Sequence, residues 1–242
     1  MTRYLKQLIK GVLGKCNRKL VYVPQGTLSG IHLFEDLKLV IVKERPVCLD
    51  VGAHVGQTID LLQRSFNKPT IYAFEPSSTM FQILQSKEFV SQVFLYKLAL
   101  GKVTCKREFT NYKISTLSSL LPLDIHEENR FRNVEMVNKE LVEIDTVDNF
   151  LKQNCINYVD LLKIDTQGYD LEVLLGAEEA LQRGVVQNVI VELNFVRMYK
   201  DQSSAKDITD LLTSYNMSLV DYYEKERQDN AIAWCTALFS RK

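Results

Sequence analysis

Several things are scarce in this sequence, and each scarcity removes a class of protein. No uninterrupted apolar run comes near the roughly 18 residues of a membrane-spanning helix. The first 20 residues, MTRYLKQLIKGVLGKCNRKL, have no long apolar centre and no small-residue cleavage pattern, so they do not read as a secretory signal. Neither sign of charge is in surplus: Lys plus Arg and Asp plus Glu number 30 each. Overall charge therefore gives no case for nucleic acid, and the motifs of nucleic-acid-binding folds are missing as well. The five cysteines (Cys16, Cys48, Cys105, Cys155, Cys235) are odd in number, widely spaced and without a C-x-x-C pair. That excludes a disulfide framework or zinc site and suggests a reducing cytosol. With no H-x-x-x-H and no Asp-rich calcium loop, no metal is expected.

What is present begins with a basic N-terminus. The first acidic residue is Glu35, preceded by Arg3, Lys6, Lys10, Lys15, Arg18 and Lys19. Tyr4, Leu5, Leu8, Ile9, Val12 and Leu13 recur at helical spacing. Two readings stand: a cap helix packed on the domain, or a helix that meets a membrane surface or a protein partner. We divide the chain into this basic helix and lead-in over 1–34 and one domain over 35–242.

Beyond it, strand and helix patterns alternate. Strands are expected at Val47–Val51, Ile71–Glu75, Val93–Leu100, Tyr158–Asp165 and Val189–Leu193. Helices are expected at Thr58–Phe66, from Ser77 or Ser78 to about Lys87, at Thr146–Gln153, as one unit over Asp170–Arg183, and at Lys206–Tyr215. Val103–Thr110 and Glu140–Ile144 read as extended, and the region between them is irregular. Met217–Tyr223 and Ala231–Phe239 close the chain as strands joined by the polar stretch 224–230, too short for a helical crossover, so they must pair antiparallel. The expected fold is α/β and Rossmann-like: a mainly parallel seven-stranded sheet, a C-terminal antiparallel hairpin, and helices on both faces.

Three segments carry chemistry. Asp50-Val51-Gly52-Ala53-His54-Val55-Gly56-Gln57-Thr58 runs from a strand through a glycine-bearing turn into a helix, the way doubly wound sheets build a nucleotide crevice. Gly52 and Gly56 would let backbone approach a ligand. Glu75, ending the second strand before Pro76, is placed to accept hydrogen bonds from ribose hydroxyls. Asp165, with Asp50 and Glu192, makes three carboxylates at strand ends, where open α/β sheets bind ligands.

Val47–Thr58, Phe74-Glu75-Pro76, DLLKIDTQGYDLEVLLGA (160–177) and VIVEL (189–193) together resemble the FkbM-type methyltransferase domain. The resemblance covers about residues 30 to 240 and implies the class I methyltransferase fold, S-adenosylmethionine as cofactor, and methylation of hydroxyl groups. By position it implies that Asp50, Gly52, Ala53, His54 and Gly56, with Gln57 and Thr58, line the methionine end of the cofactor. Glu75 and Pro76 would lie at the ribose, Ala99 and Leu100 at the adenine, and Asp165 near the donor methyl. Ser115–Leu120 (STLSSL), through Ser118, resembles a further segment beside the cofactor. Gln167 and Asp170 depart from the family pattern, which usually has a carboxylate and often Glu there, and His54 often gives way to Asn.

The acceptor is then a hydroxyl of a small molecule, sugar, glycan or natural product. Asp165 and Glu192 are the candidate general bases at strand ends, and His54 and His126 are candidates by chemistry. We favour a binding role for His54, while His126 reads as a surface, lid or metal-binding residue. Tyr112, Phe131, Phe195 and Tyr199 are aromatics that would stack on a sugar or macrocycle if exposed. Two rivals stand beside this reading. An NAD-dependent oxidoreductase shares the crevice, but the turn G-A-H-V-G lacks the middle glycine that admits a pyrophosphate. A non-catalytic interaction module on the same fold would also bind partners without turnover.

Overall fold

The computed structural model describes residues 26–126 and 129–241. The basic helix read into residues 3–19 lies outside the described residues. The first described helix, α1 (Leu33–Val40), buries Leu33 and Leu37. The division drawn between residues 34 and 35 thus falls inside α1. Its Asp36 accepts the Ser29 and Gly30 N–H groups, both at 2.7 Å, and the Tyr223 hydroxyl at 2.9 Å. That carboxylate fastens the lead-in to the C-terminal strands.

The main sheet contains β1 (Val47–Val51), β2 (Thr70–Phe74), β3 (Gln92–Tyr96), β7 (Leu161–Ile164), β8 (Asn188–Asn194), β9 (Met217–Gln228) and β10 (Ala231–Arg241), in the order β3-β2-β1-β7-β8-β10-β9. All neighbours pair parallel except β10, which runs antiparallel to both β8 and β9. Strands buried on both faces read as near-continuous apolar runs, which is why VCLDV, LLKI and NVIVELN were legible. Alternate residues feed two cores: Leu49, Val51, Leu162 and Val191 pack on one side, and Cys48, Leu161 and Ile190 on the other. On the first side Phe150 meets the rings of Tyr72, Phe74 and Tyr96 edge-on. The class I methyltransferase layout is therefore present, with the carboxyl ends of β1, β2, β7 and β8 on one rim.

The remaining elements differ from expectation in three places. The strand expected over Val93–Leu100 is two strands, because the chain leaves the main sheet after Tyr96. Its last residues form β4 (Ala99–Leu100), which pairs with β6 (Met136–Asp145) beside β5 (Cys105–Tyr112) in a separate three-stranded sheet. The single helix expected over Asp170–Arg183 breaks into α5 (Asp170–Leu175) and α6 (Glu178–Gln182) at Gly176, which lies against backbone: a Cβ there would stand 2.0 Å from the Gly101 oxygen. Asp148, in α4 (Val147–Gln153), then accepts the Glu179 and Ala180 N–H groups, both at 2.8 Å, and caps α6. Finally, β9 and β10 run through the polar stretch 224–230 and turn at Asp229 and Asn230, both at positive φ, as a two-residue hairpin requires. Helices α2 (Gln57–Ser65), α3 (Ser78–Gln85) and α7 (Ala205–Ser214) complete the fold. Among the described residues no helix is long and apolar enough to cross a membrane.

Candidate functional site

Between β1 and α2 the chain turns at Gly52, φ +79°, and Gly56, φ +87°. A Cβ on Gly52 would stand 1.9 Å from the carbonyl oxygen of Asp165, and one on Gly56 would meet Leu84 Cδ1 at 2.9 Å. Gly52 is therefore fixed by the protein's own backbone as well as lining the cavity, and Gly56 by its positive φ, since the Leu84 tip can give way. By this approach Gly52 brings the β1 turn against the end of β7.

The rim of β1, β2 and β7 encloses a cavity of about 280 Å³. Gly52, Ala53, His54, Gln57, Thr58, Glu75, Pro76, Ala99, Leu100, Ser118 and Asp165 all line it. Asp50, Gly56 and Glu192 do not. Asp50 is wholly buried below the turn, 3.0 Å from the ammonium of Lys163, which also donates to the Gly52 oxygen at 2.9 Å. Burial works against the Lys163 charge, but Asp50 and Asp165 together outweigh it and hold the ammonium protonated. Of the three carboxylates expected over the crevice, only Asp165 faces it. Asp50 props the turn from beneath, and Glu192 stands behind Gln167.

Glu75 is 5% exposed, and both its oxygens are fixed by backbone: the His54 N–H donates to Oε2 and the Ser77 N–H to Oε1, each at 2.8 Å. Burial lifts its carboxyl to about 7 despite these two donors. His54 reaches across to Ser115, with Nε2 and Oγ 2.9 Å apart, so the glycine turn and the Ser115–Leu117 turn close one wall together. Burial lowers the His54 value, which keeps the ring neutral. Among the described residues Thr166 Oγ1 is buried without a hydrogen-bond partner, and both it and His54 line the cavity.

Behind the cavity the turn after β7 holds a second acidic group. Gln167 Nε2 donates to Asp165 Oδ1 at 2.7 Å and to Glu192 Oε2 at 3.3 Å, while its Oε1 accepts the Tyr199 hydroxyl at 2.9 Å. Asp170 accepts the Thr166 and Gly168 N–H groups at 3.0 and 3.1 Å, and burial pushes its carboxyl up to about 6. Burial, then Asp165 and Asp170, raise Glu192 well above the ordinary carboxylate range.

These shifts fix the sign of a pH dependence. Glu75, Asp170 and Glu192 bind protons more tightly in the folded than in the unfolded chain, so they destabilise the fold as pH rises through about 6 to 7. His54 acts in the opposite sense only below its ordinary value of 6.5. The ligand-free protein is expected to unfold at a higher temperature near pH 6.5 than near pH 8, measured by calorimetry across that window. A rising midpoint over the same window would contradict the burial of these carboxyls.

The family model described as "Methyltransferase FkbM domain" matches residues 50–219. The chain belongs to the FkbM methyltransferase family. "Methyltransferase 1" of Beauveria bassiana is 25% identical over 159 residues, covering 60% of this chain and 63% of that protein. "2-O-methyltransferase NoeI" of Sinorhizobium fredii is 21% identical over 225 residues, covering 89% of this chain and 90% of that protein. The crystal structure of Methyltransferase FkbM from Methylobacillus flagellatus shares the fold, with a TM-score of 0.51 at 16% identity, over 91% of this chain and 46% of that one. The chain thus spans just under two thirds of the fungal protein and about half of the solved FkbM chain.

In this FkbM chain the aromatics expected to stack on an acceptor separate by burial. Tyr112 and Tyr199 are buried and tied by their hydroxyls, with Leu123 N–H donating to the first and the second sharing its one proton between the Leu117 oxygen and Gln167 Oε1, so neither is free to stack. Phe195 is half exposed, and Phe131 packs on Trp234, whose ring also lies under the Arg130 guanidinium at 4.4 Å. Trp234 pairs with Asn194 and Thr236 with Glu192, so Trp234 stands two register positions beyond Glu192 on the same strands. His126 is exposed on the loop over this side. Sequence reading missed Lys163, Met80 and Ser77 as neighbours of the cavity, and missed Gln167 as a bridge, while Ser115, Thr116, Ser118 and Leu120 of the expected 115–120 segment do line it. Lys163 had a signal, a lone cation inside the apolar run LLKI; the others had none, because the contacts are long-range.

Proposed function

We propose that this chain transfers a methyl group from S-adenosylmethionine to a hydroxyl oxygen of a sugar, glycan or other natural product. The observation that carries the reading is Glu75: each of its oxygens spends one lone pair on a backbone N–H and keeps another for the cavity, a geometry suited to two neighbouring ribose hydroxyls. The residues present fit the cofactor. Leu98, Ala99, Leu100 and Met80 give an apolar end for the adenine; Gly52, Ala53, His54, Gln57 and Thr58 give a polar end for the methionine. When bound, the cofactor supplies a methyl group already activated on a sulfonium.

The chain's own task is to hold the hydroxyl in line, a proximity effect worth up to about 7–11 kcal/mol. Accepting its proton adds about 10²–10⁴-fold. Asp165, at the cavity, and Glu192, beside it, are the groups we assign to that proton. The hydroxyl acceptor is supported by the name of the S. fredii relative, a 2-O-methyltransferase. We place the reaction in the cytosol, where Cys48, Cys105, Cys155 and Cys235 stay free thiols.

The test is transfer of labelled methyl from S-adenosylmethionine to a panel of monosaccharides, oligosaccharides and hydroxylated polyketides. Label is expected in a product that resists mild base, as an ether does. Label only in a base-labile ester or on nitrogen would overturn O-methylation. Cofactor binding without transfer to any acceptor class would favour the non-catalytic module.

A further inference from the structure

We propose that Gln167 is the positioning residue of this site: it pins one oxygen of the Asp165 carboxylate, so that Asp165 meets a cationic ligand in the cavity with its other oxygen, in a single orientation. The inference rests on the adenosyl-cofactor reading and deepens it, since Gln167 and Asp165 line the same cavity.

The turn that carries Gln167 is clamped from several sides. Gln167 itself adopts φ +56°, a strained backbone for a residue with a side chain, and one that persists only where its surroundings hold it. Asp170 accepts the N–H groups of Thr166 and Gly168, the residues on either side, at 3.0 and 3.1 Å. From the opposite direction the Ser119 hydroxyl stands 2.8 Å from the Gln167 backbone oxygen. Gly168, at φ +89°, admits the buried Tyr199 ring, because a Cβ there would stand 3.0 Å from Tyr199 Cδ2. So held, the side-chain amide has one acceptable orientation. Its Nε2 donates to Asp165 Oδ1 at 2.7 Å and to Glu192 Oε2 at 3.3 Å, and its Oε1 accepts from the Tyr199 hydroxyl at 2.9 Å. Turned over, the amide would set its oxygen against two acceptors and lose all three contacts.

The rest of Asp165 is open. Its side chain is 45% exposed, and among the described residues Oδ2 has no hydrogen bond. Lys163 Nζ stands 3.9 Å from Oδ2, but that ammonium is committed to Asp50 at 3.0 Å and to the Gly52 oxygen at 2.9 Å. A cationic side chain in place of Gln167 would also orient Asp165, at the cost of neutralising it. A neutral amide orients the carboxylate and leaves its charge for a ligand. A charge fixed before binding loses less freedom on meeting its partner than one that must first be ordered. The donor end of the cofactor is a cation, so the orientation of Asp165 bears on that end and not on the adenosine.

The test uses the whole chain and needs no acceptor. Binding of S-adenosylhomocysteine, which is uncharged at sulfur, is compared by titration calorimetry with binding of sinefungin, which carries a protonated amine where the cofactor has its methylsulfonium. The two share the adenosine and the amino-acid end, so the ratio of their affinities isolates the surroundings of the cationic centre. In Gln167→Met, which keeps the length and removes the amide, the preference for sinefungin is expected to fall on the order of 10-fold. In an Asp165→Asn background the same substitution should change the ratio by less than about 2-fold, because no carboxylate is left to orient. Lost packing alone would act in both backgrounds alike. Tyr199→Phe releases the amide from behind and should lower the ratio in the same direction, which keeps the test open if Gln167→Met does not fold. An unchanged or raised ratio in the folded variants, or a fall that persists in full with Asp165→Asn, overturns the proposal and leaves the cofactor reading intact. Binding of neither ligand to the folded parent overturns both.

Discussion

Gly52→Ala is expected to lower the unfolding midpoint by about 10 °C, the largest stability effect of any single methyl group in the site. Two costs combine. A left-handed backbone at φ +79° costs an L-residue about 1–3 kcal/mol, and the new Cβ would sit 1.9 Å from the Asp165 carbonyl, which adds overpacking of about 1–3 kcal/mol. The carbonyl has little room to retreat. The Asp165 N–H donates to the Val51 oxygen at 3.0 Å, and Gly52 and Ala53 donate to the Phe74 oxygen at 3.0 and 2.9 Å. Gly56→Ala makes the internal comparison: the backbone strain is the same, but the neighbour at 2.9 Å is the flexible tip of Leu84. Thermal unfolding of both variants should rank Gly52→Ala well below Gly56→Ala. A Gly52→Ala midpoint within about 2 °C of the parent, less than the shift from 1 kcal/mol, would contradict the close approach of the two strand ends.

Glu75→Ala is expected to weaken binding of S-adenosylmethionine and S-adenosylhomocysteine alike by about 10²–10⁴-fold, since a hydrogen bond to a charged group contributes about 1.5–3 kcal/mol and two are lost. Glu75→Gln keeps the volume but must turn an NH₂ toward either the His54 or the Ser77 N–H, so it should lose most of the same affinity. The ligand's hydroxyls favour the ionised carboxyl, and the ligand-free group titrates at about 7. Affinity should therefore fall as pH drops through that value, and the fall should be absent in Glu75→Ala. Titration calorimetry across the range checks both points. Unchanged affinity in Glu75→Ala would remove Glu75 from the ligand's contacts.

The parts of this site legible in the sequence are those built from local pattern. The β1 strand, its glycine turn and the start of α2 are contiguous, so Gly52 through Thr58 could be read together, and Glu75 follows from its place at the next strand end. The carboxylates were read only in part. A strand-end position fixes how far along the sheet a side chain lies, but its face depends on pleat and register. Asp50 pairs with Lys163 under the turn, and Glu192 is screened from the cavity by an amide 25 residues earlier. The three-stranded sheet was hidden for a similar reason. β6 is largely exposed and polar, so MVNKELVEID carries little hydrophobic signal, and Leu98-Ala99-Leu100 continues an apolar run whose change of sheet leaves no local mark. The hairpin was underestimated because KERQ projects into solvent, where strand pairing needs no apolar alternation.

The account's central claim, an adenosyl cofactor in the Glu75 cavity, is tested most directly by thermal unfolding with S-adenosylmethionine, S-adenosylhomocysteine, NAD or no ligand. At about 100 times its dissociation constant a true ligand adds roughly 2.7 kcal/mol, on the order of 5–10 °C for a domain of this size. The predicted result is such a rise with both adenosyl compounds and none with NAD. A rise with NAD alone, or no rise with any of the three on folded protein, would contradict it.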